Sequence, residues 1–125
     1  LEHHRLRGDR QMLLDRGRVG DQEVVPEWWL TDSYTGDTDS RAAFAASESD
    51  TRMPGGMYRN QFWVPFPDRD LLLCLGIHGQ MVYVDPNRRV VAAKLSSWPY
   101  PQDAAMLFDT LAAIERIAVD LTGRT

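Results

Sequence analysis

Lysine and cysteine are nearly absent from this chain of 125 residues: Lys94 is its single lysine and Cys74 its single cysteine. One cysteine excludes an internal disulfide and a thiolate zinc cluster; no metal site and no cofactor is expected. No apolar run approaches the roughly 20 residues that a membrane-spanning helix needs. The start, Leu1-Glu2-His3-His4-Arg5, lacks the apolar stretch of a secretory signal. A membrane is therefore not expected as a partner, and the compartment is left open with the cytoplasm favoured, because a longer parent chain would carry its own address. A basic surplus is lacking too: 14 Lys and Arg stand against 18 Asp and Glu, net −4. Nucleic acid is excluded as a partner, since phosphate binding needs a concentrated cationic surface. Arg5, Arg7, Arg10, Arg16 and Arg18 are interleaved with acids and read as a solvated face. There are no internal repeats.

What is present is enough apolar sequence for one modest core; a chain of this size buries roughly 65% of its unfolded surface. Arg10 to Asp15 reads as the last turns of an amphipathic helix, with Met12, Leu13 and Leu14 inward, and Gly17 and Gly20 reverse the chain after it. Leu1 to Arg10 has neither cap nor apolar stripe, as expected of an element that continues upstream. Val24 to Leu30 is expected to be extended and then helical, with Pro26 setting the first turn. Thr31 to Asp39 reads as loop, and Ser40 as the cap of a short helix, Arg41 to Ser47.

Past Tyr58 the pattern changes to strands: Asn60 to Phe66, Leu71 to His78, Met81 to Asp85 and Arg89 to Ser96, with Pro67-Asp68-Arg69-Asp70 and Pro86-Asn87-Arg88 as turns. Connections this short make antiparallel neighbours. Pro101 opens a last helix in which Leu107, Leu111, Ile114, Ala118 and Leu121 recur at helical spacing, with Asp103 in the first turn and Gly123 at the end. The expected fold class is α+β: an antiparallel β-meander of about four strands over residues 58–97, packed on one face by the long C-terminal helix, 101–122. Residues 1–57 form a lead-in of short helices and loops, and 1–125 is one unit.

Three stretches, taken in order, carry a family resemblance. Met12 to Trp29, with its Val25-Pro26-Glu27-Trp28-Trp29 piece, resembles the segment where a helix ends, a Gly-rich turn follows and a V-P-E-x-W piece leads on. Met53 to Val64 resembles an aromatic strand entry. Leu75 to Pro86, then Val90 to Ser97, resembles the strand bearing a third active-site motif and its following hairpin. Together they resemble the C-terminal part of serine hydrolases of the β-lactamase and penicillin-binding-protein superfamily, nearest the 6-aminohexanoate-dimer hydrolase and esterase branch. The resemblance implies the C-terminal portion of a β-lactamase/transpeptidase-like fold. It also implies an acyl-enzyme mechanism on small ester or amide substrates.

That family uses a Ser-x-x-Lys pair. No Ser or Thr here is followed three residues later by Lys, so this chain is expected to be inactive alone. It then depends on a missing N-terminal hydrolase portion, or associates with itself. Tyr58-Arg59-Asn60 matches the second motif by letter, yet stands at the mouth of a strand and is expected to pack or line a rim. Aligned with the Lys-Thr-Gly motif, Cys74-Leu75-Gly76-Ile77 places Gly76 at the glycine and Ile77 at the residue whose backbone N–H binds the oxyanion. Gly76 would let substrate approach the backbone, or else merely mark a bulge. Cys74 replaces the motif's lysine, which argues against a β-lactamase and for an esterase or small-amide hydrolase; as a side chain it reads as a buried small hydrophobe. His78, on the same strand face as Gly76, is a candidate substitute for that cation or a structural residue. Trp63 is the candidate substrate wall, and Gln80 could orient a substrate amide or bond a strand edge. Trp28, Trp29 and Trp98 are expected to pack.

Two readings compete with the hydrolase portion. One is a truncated, catalytically silent module of the same fold with a binding or structural role. The other is a self-standing α+β interaction domain.

Overall fold

The computed structural model describes residues 11–123; Arg5, Arg7, Arg10 and the start of the first expected helix lie outside them. Residues 11–14 are helical and run into a turn at Arg16 and Gly17, both with positive φ. A two-residue hairpin follows, β1 (Arg18–Val19) on β2 (Gln22–Glu23), reversed at Gly20. Helix α1 (Glu27–Thr35) starts behind Pro26 and stops at Gly36, φ 57°. The expected loop at 31–35 is thus helical: Thr31, Ser33 and Thr35 each donate their hydroxyl to the carbonyl four residues back, which lets polar residues sit in a helix. Helix α2 (Thr38–Ala45) is capped by Asp37, whose carboxylate accepts from Ser40 N at 2.7 Å; Ser40 is therefore inside the helix rather than its cap. A single turn, α3 (Ser49–Arg52), completes the lead-in.

The sheet has five strands in sequence order, all antiparallel: β3 (Met57–Arg59), β4 (Phe62–Val64), β5 (Leu72–Leu75), β6 (Met81–Asp85) and β7 (Val90–Lys94). The extra strand against the expected four arises at Asn60-Gln61. Both residues adopt positive φ, 51° and 73°, as a two-residue turn between twisted strands demands. Asn60 is held there by donating its side-chain amide to Asp32 and Ser33. Arg59 next to it makes a two-pronged contact with Asp32, both bonds 2.8 Å, and reaches Asp37 at 3.1 Å. The hairpin is thereby tied to α1 and α2.

Strand alternation divides the side chains between two buried faces. Trp63, Leu73, Tyr83 and Ala92 lie in register on one, with Leu75 and Met81 beside them. They pack against Leu107, Leu111 and Ile114 of the last helix, α4 (Ala104–Thr122), and against Phe44 and Met53. Leu72, Val84 and Val91 lie on the other face with Met57 and Val64, under Leu14 and Trp29. Burying large aliphatic side chains on both faces, at about 1.5–3 kcal/mol each, is the main stabilising term. Helix α4 is capped by Asp103, accepting from Met106 N at 2.9 Å, and ends at Gly123 in the left-handed region. Its expected apolar stripe holds through Ala118 but not to Leu121, which is 77% exposed.

One buried carboxylate pins the loops at one end of the sheet. Asp85, 2% exposed, accepts from the Arg88 backbone N at 2.9 Å and from its guanidinium at 2.8 Å, while Arg69 and Arg88 both reach Glu115 on α4.

Candidate functional site

Strand β5 ends at Leu75, earlier than the expected His78. Gly76 is still extended, and Ile77–Gly79 form one 3₁₀ turn in which His78 has left-handed backbone angles, φ 59° and ψ 27°. The turn is held by bonds to the returning chain after β7. His78 N donates to Pro101 O at 3.0 Å, and Trp98 N donates to His78 O at 3.0 Å. The His78 ring approaches Trp98 O through Nδ1 at 2.8 Å. A carbonyl only accepts, so Nδ1 carries the proton. Gln80 clamps the same return: its amide nitrogen donates to Ser96 O and its amide oxygen accepts from Ser96 N at 3.1 Å.

These contacts leave a groove of about 150 Å³ on the α4 side of the sheet, walled by Trp63, Leu75, Gly76, Ile77, Trp98 and Leu107. Gly79 has φ 87°, and a methyl group there would stand 2.5 Å from the Trp98 ring; only a glycine lets the indole lie this close. Lys94 donates to Gly79 O at 3.2 Å and places its ammonium 4.5 Å from the centre of the Trp98 ring, an attractive cation–π contact. On the other wall Trp63 rests against Tyr58, centroids 4.7 Å apart, and meets Phe44 edge-on.

Backbone amides at the mouth of this groove differ in one respect. Gly76 N donates to Gln80 O at 2.9 Å and His78 N to Pro101 O, whereas the Ile77 amide between them has no acceptor among the described residues. Successive amides of an extended segment point to opposite sides, so Ile77 N–H is directed away from β6. On that side β4 pairs β5 only at Trp63 and Leu73, and no strand among the described residues covers the amide. Ile77 itself is 63% exposed.

Of the residues singled out from the sequence, Trp63, Gly76, Ile77 and Gln80 all line the groove. His78 does not: the 3₁₀ turn takes it off the strand face of Gly76 and commits its Nδ1 to Trp98. Cys74 belongs to the opposite face of the sheet, and burial pushes its thiol up. Trp98 walls the groove rather than only packing, Trp29 packs edge-on against Phe62, and Trp28 is 68% exposed. Sequence reasoning missed the second wall altogether: Arg52 and Met53 from α3 and its end, and Pro101 to Leu107 around the start of α4. Among the described residues no group of His, Cys, Asp and Glu is placed to hold a metal ion, and no helix is long and apolar enough to cross a membrane.

No family model matches the chain. By sequence it is 31% identical over 114 residues to the 6-aminohexanoate-dimer hydrolase of Paenarthrobacter ureafaciens. The match takes in 86% of this chain but 29% of that protein, so the chain spans under a third of the relative's length. The antiparallel sheet with a long helix at its C-terminal end agrees with the resemblance drawn from the three sequence stretches. By sequence, then, this chain is similar to under a third of a 6-aminohexanoate-dimer hydrolase.

Proposed function

We propose that this chain supplies the oxyanion-binding amide and one wall of the acyl pocket to a serine hydrolase acting on esters or small linear amides, the nucleophile coming from a segment outside it. The observation that carries this reading is the Ile77 amide, which has no acceptor among the described residues and lies between two paired neighbours at the mouth of an apolar groove. When a serine oxygen attacks the substrate carbonyl carbon, the carbonyl π pair moves onto its oxygen. A fixed N–H that meets the resulting charge is worth roughly 3 kcal/mol, two to three orders of magnitude in rate. The tetrahedral species then collapses with loss of the alcohol or amine, and water releases the acyl group from the serine. Gly76 gives the substrate access to the backbone and Trp63 faces its acyl part. His78 and Gln80, both bonded to the returning chain, position the turn that presents the amide. The open outer edge of β7 and the exposed Leu95 and Tyr100 suit a partner segment or a second copy.

Hydrogen exchange followed by NMR tests this on the chain itself. The Ile77 amide should exchange much faster than those of Gly76 and His78, and the chain alone should not turn over p-nitrophenyl esters. A protected Ile77 amide, or turnover by the chain alone, would refute the proposal. The missing Ser-x-x-Lys favours, as a second reading, a silent module that keeps the groove for binding; ester turnover restored by adding a nucleophile-bearing segment would decide against it.

A further inference from the structure

We infer that the groove selects acyl chains ending in a carboxylate, and that the Arg52 guanidinium is the group that binds it. The inference rests on reading the groove as an acyl pocket and adds the chemical class of its occupant. Every other described arginine already has a partner: Arg16 with Glu27, Arg18 with Asp21 O, Arg41 with Thr35 O, Arg59 with Asp32, Arg69 and Arg88 with Glu115, Arg89 with Asp15, and Arg116 with Asp120. Arg52 alone has neither ion pair nor hydrogen bond among the described residues, and it is half-buried and lines the groove.

A guanidinium held beside low-dielectric walls without an anion forgoes a favourable interaction, and the walls here are Trp63, Leu75, Trp98 and Leu107. The other charged group on the groove, Asp103, already accepts from Met106 N at the start of α4. Arg52 closes a helix of one turn, whose dipole is too short to account for a cation placed there. A planar, always charged fork is suited to a carboxylate in two-pronged geometry. The apolar walls would take the methylenes between that carboxylate and the carbonyl presented to Ile77.

Titrating the chain with hexanoate and with hexanamide, followed by tryptophan fluorescence, tests this, because Trp63 and Trp98 line the groove while Trp28 and Trp29 lie outside its walls. Hexanoate should bind about tenfold more tightly than hexanamide, as a charge-assisted hydrogen bond implies, with the ratio shrinking as salt rises. Arg52→Gln should bring the two ligands to equal affinity, and Arg52→Lys should keep part of the preference. Equal affinity in the wild type, or a preference surviving in Arg52→Gln, overturns the inference and leaves the acyl pocket standing. Binding of neither ligand overturns both. Should Arg52→Gln fail to fold by circular dichroism, the wild-type ratio, its salt dependence and the lysine variant decide.

Discussion

Replacing Gly79 with alanine tests whether the groove depends on the close seat of Trp98. Two costs apply there. An L-residue held at φ 87° loses about 1–2 kcal/mol relative to glycine. The new methyl would also lie 2.5 Å from two carbons of the Trp98 indole and 2.9 Å from its nitrogen, a contact that the ring can relieve only by moving. Overpacking of this kind costs typically about 1–3 kcal/mol. Gly55 separates the two, because its φ is also positive, 74°, while a methyl there meets nothing within 4 Å. Gly55→Ala should lower the melting temperature by about 4–8 °C and Gly79→Ala by about 8–20 °C, at roughly 4 °C per kcal/mol for a domain of this size. The difference between the two variants isolates the indole contact. Thermal melts by circular dichroism give the shifts, and tryptophan fluorescence should change for Gly79→Ala alone. Equal shifts, with unchanged fluorescence, would show that Trp98 does not rest on Gly79 and that the second wall of the groove is misplaced.

Asp85→Ala should destabilise by about 1–3 kcal/mol in urea titrations, because the Arg88 guanidinium, 12% exposed, keeps Glu115 at 3.3 Å but loses its shorter carboxylate contact, and the Arg88 backbone N loses its acceptor; replacing both Asp85 and Arg88 with leucine should recover much of the loss, and an Asp85→Ala variant as stable as wild type would contradict the assigned contacts. At the other end of the sheet Arg59, and after it Asn60, hold the Asp32 carboxyl below its ordinary range. The folded state therefore binds fewer protons there than the unfolded chain: the stabilisation is complete above the unfolded value near 3.9 and is lost as pH falls through the lower folded value. Asp32→Asn should be less stable than wild type at pH 6, with the gap narrowing below about pH 4; a gap that widens in acid would reverse the sign argued here.

How much of this was legible in the sequence depends on how far each feature reaches along the chain. Strands β5 to β7 and helix α4 are written locally, as alternating apolar residues between turn residues and as a stripe at helical spacing. Asp103 shows how little separates a first-turn residue from a cap: the side chain and its dipole role were visible, and its position differs by one step. The β3–β4 turn escaped because Asn60-Gln61 lacks the glycine that marks such turns. Its positive φ values are sustained by Asp32 and Ser33, more than twenty residues away. Helix α1 overran its expected end for the opposite reason, since hydroxyl bonds to the preceding turn offset weak propensities.

The groove divides in the same way. Trp63, Gly76, Ile77 and Gln80 sit on or beside contiguous strands, so strand order alone brings them together. Its other wall exists only because residues 96–101 return to the 3₁₀ turn and bond Gln80 and His78. Nothing in the letters around Trp98 or Arg52 announces that return. Gly79 comes nearest to a signal: a glycine that must sit under an indole implies a partner side chain, but not which of four tryptophans provides it. The residue on which the inferred ligand class turns, Arg52, was for that reason invisible until the partners of the other described arginines were placed.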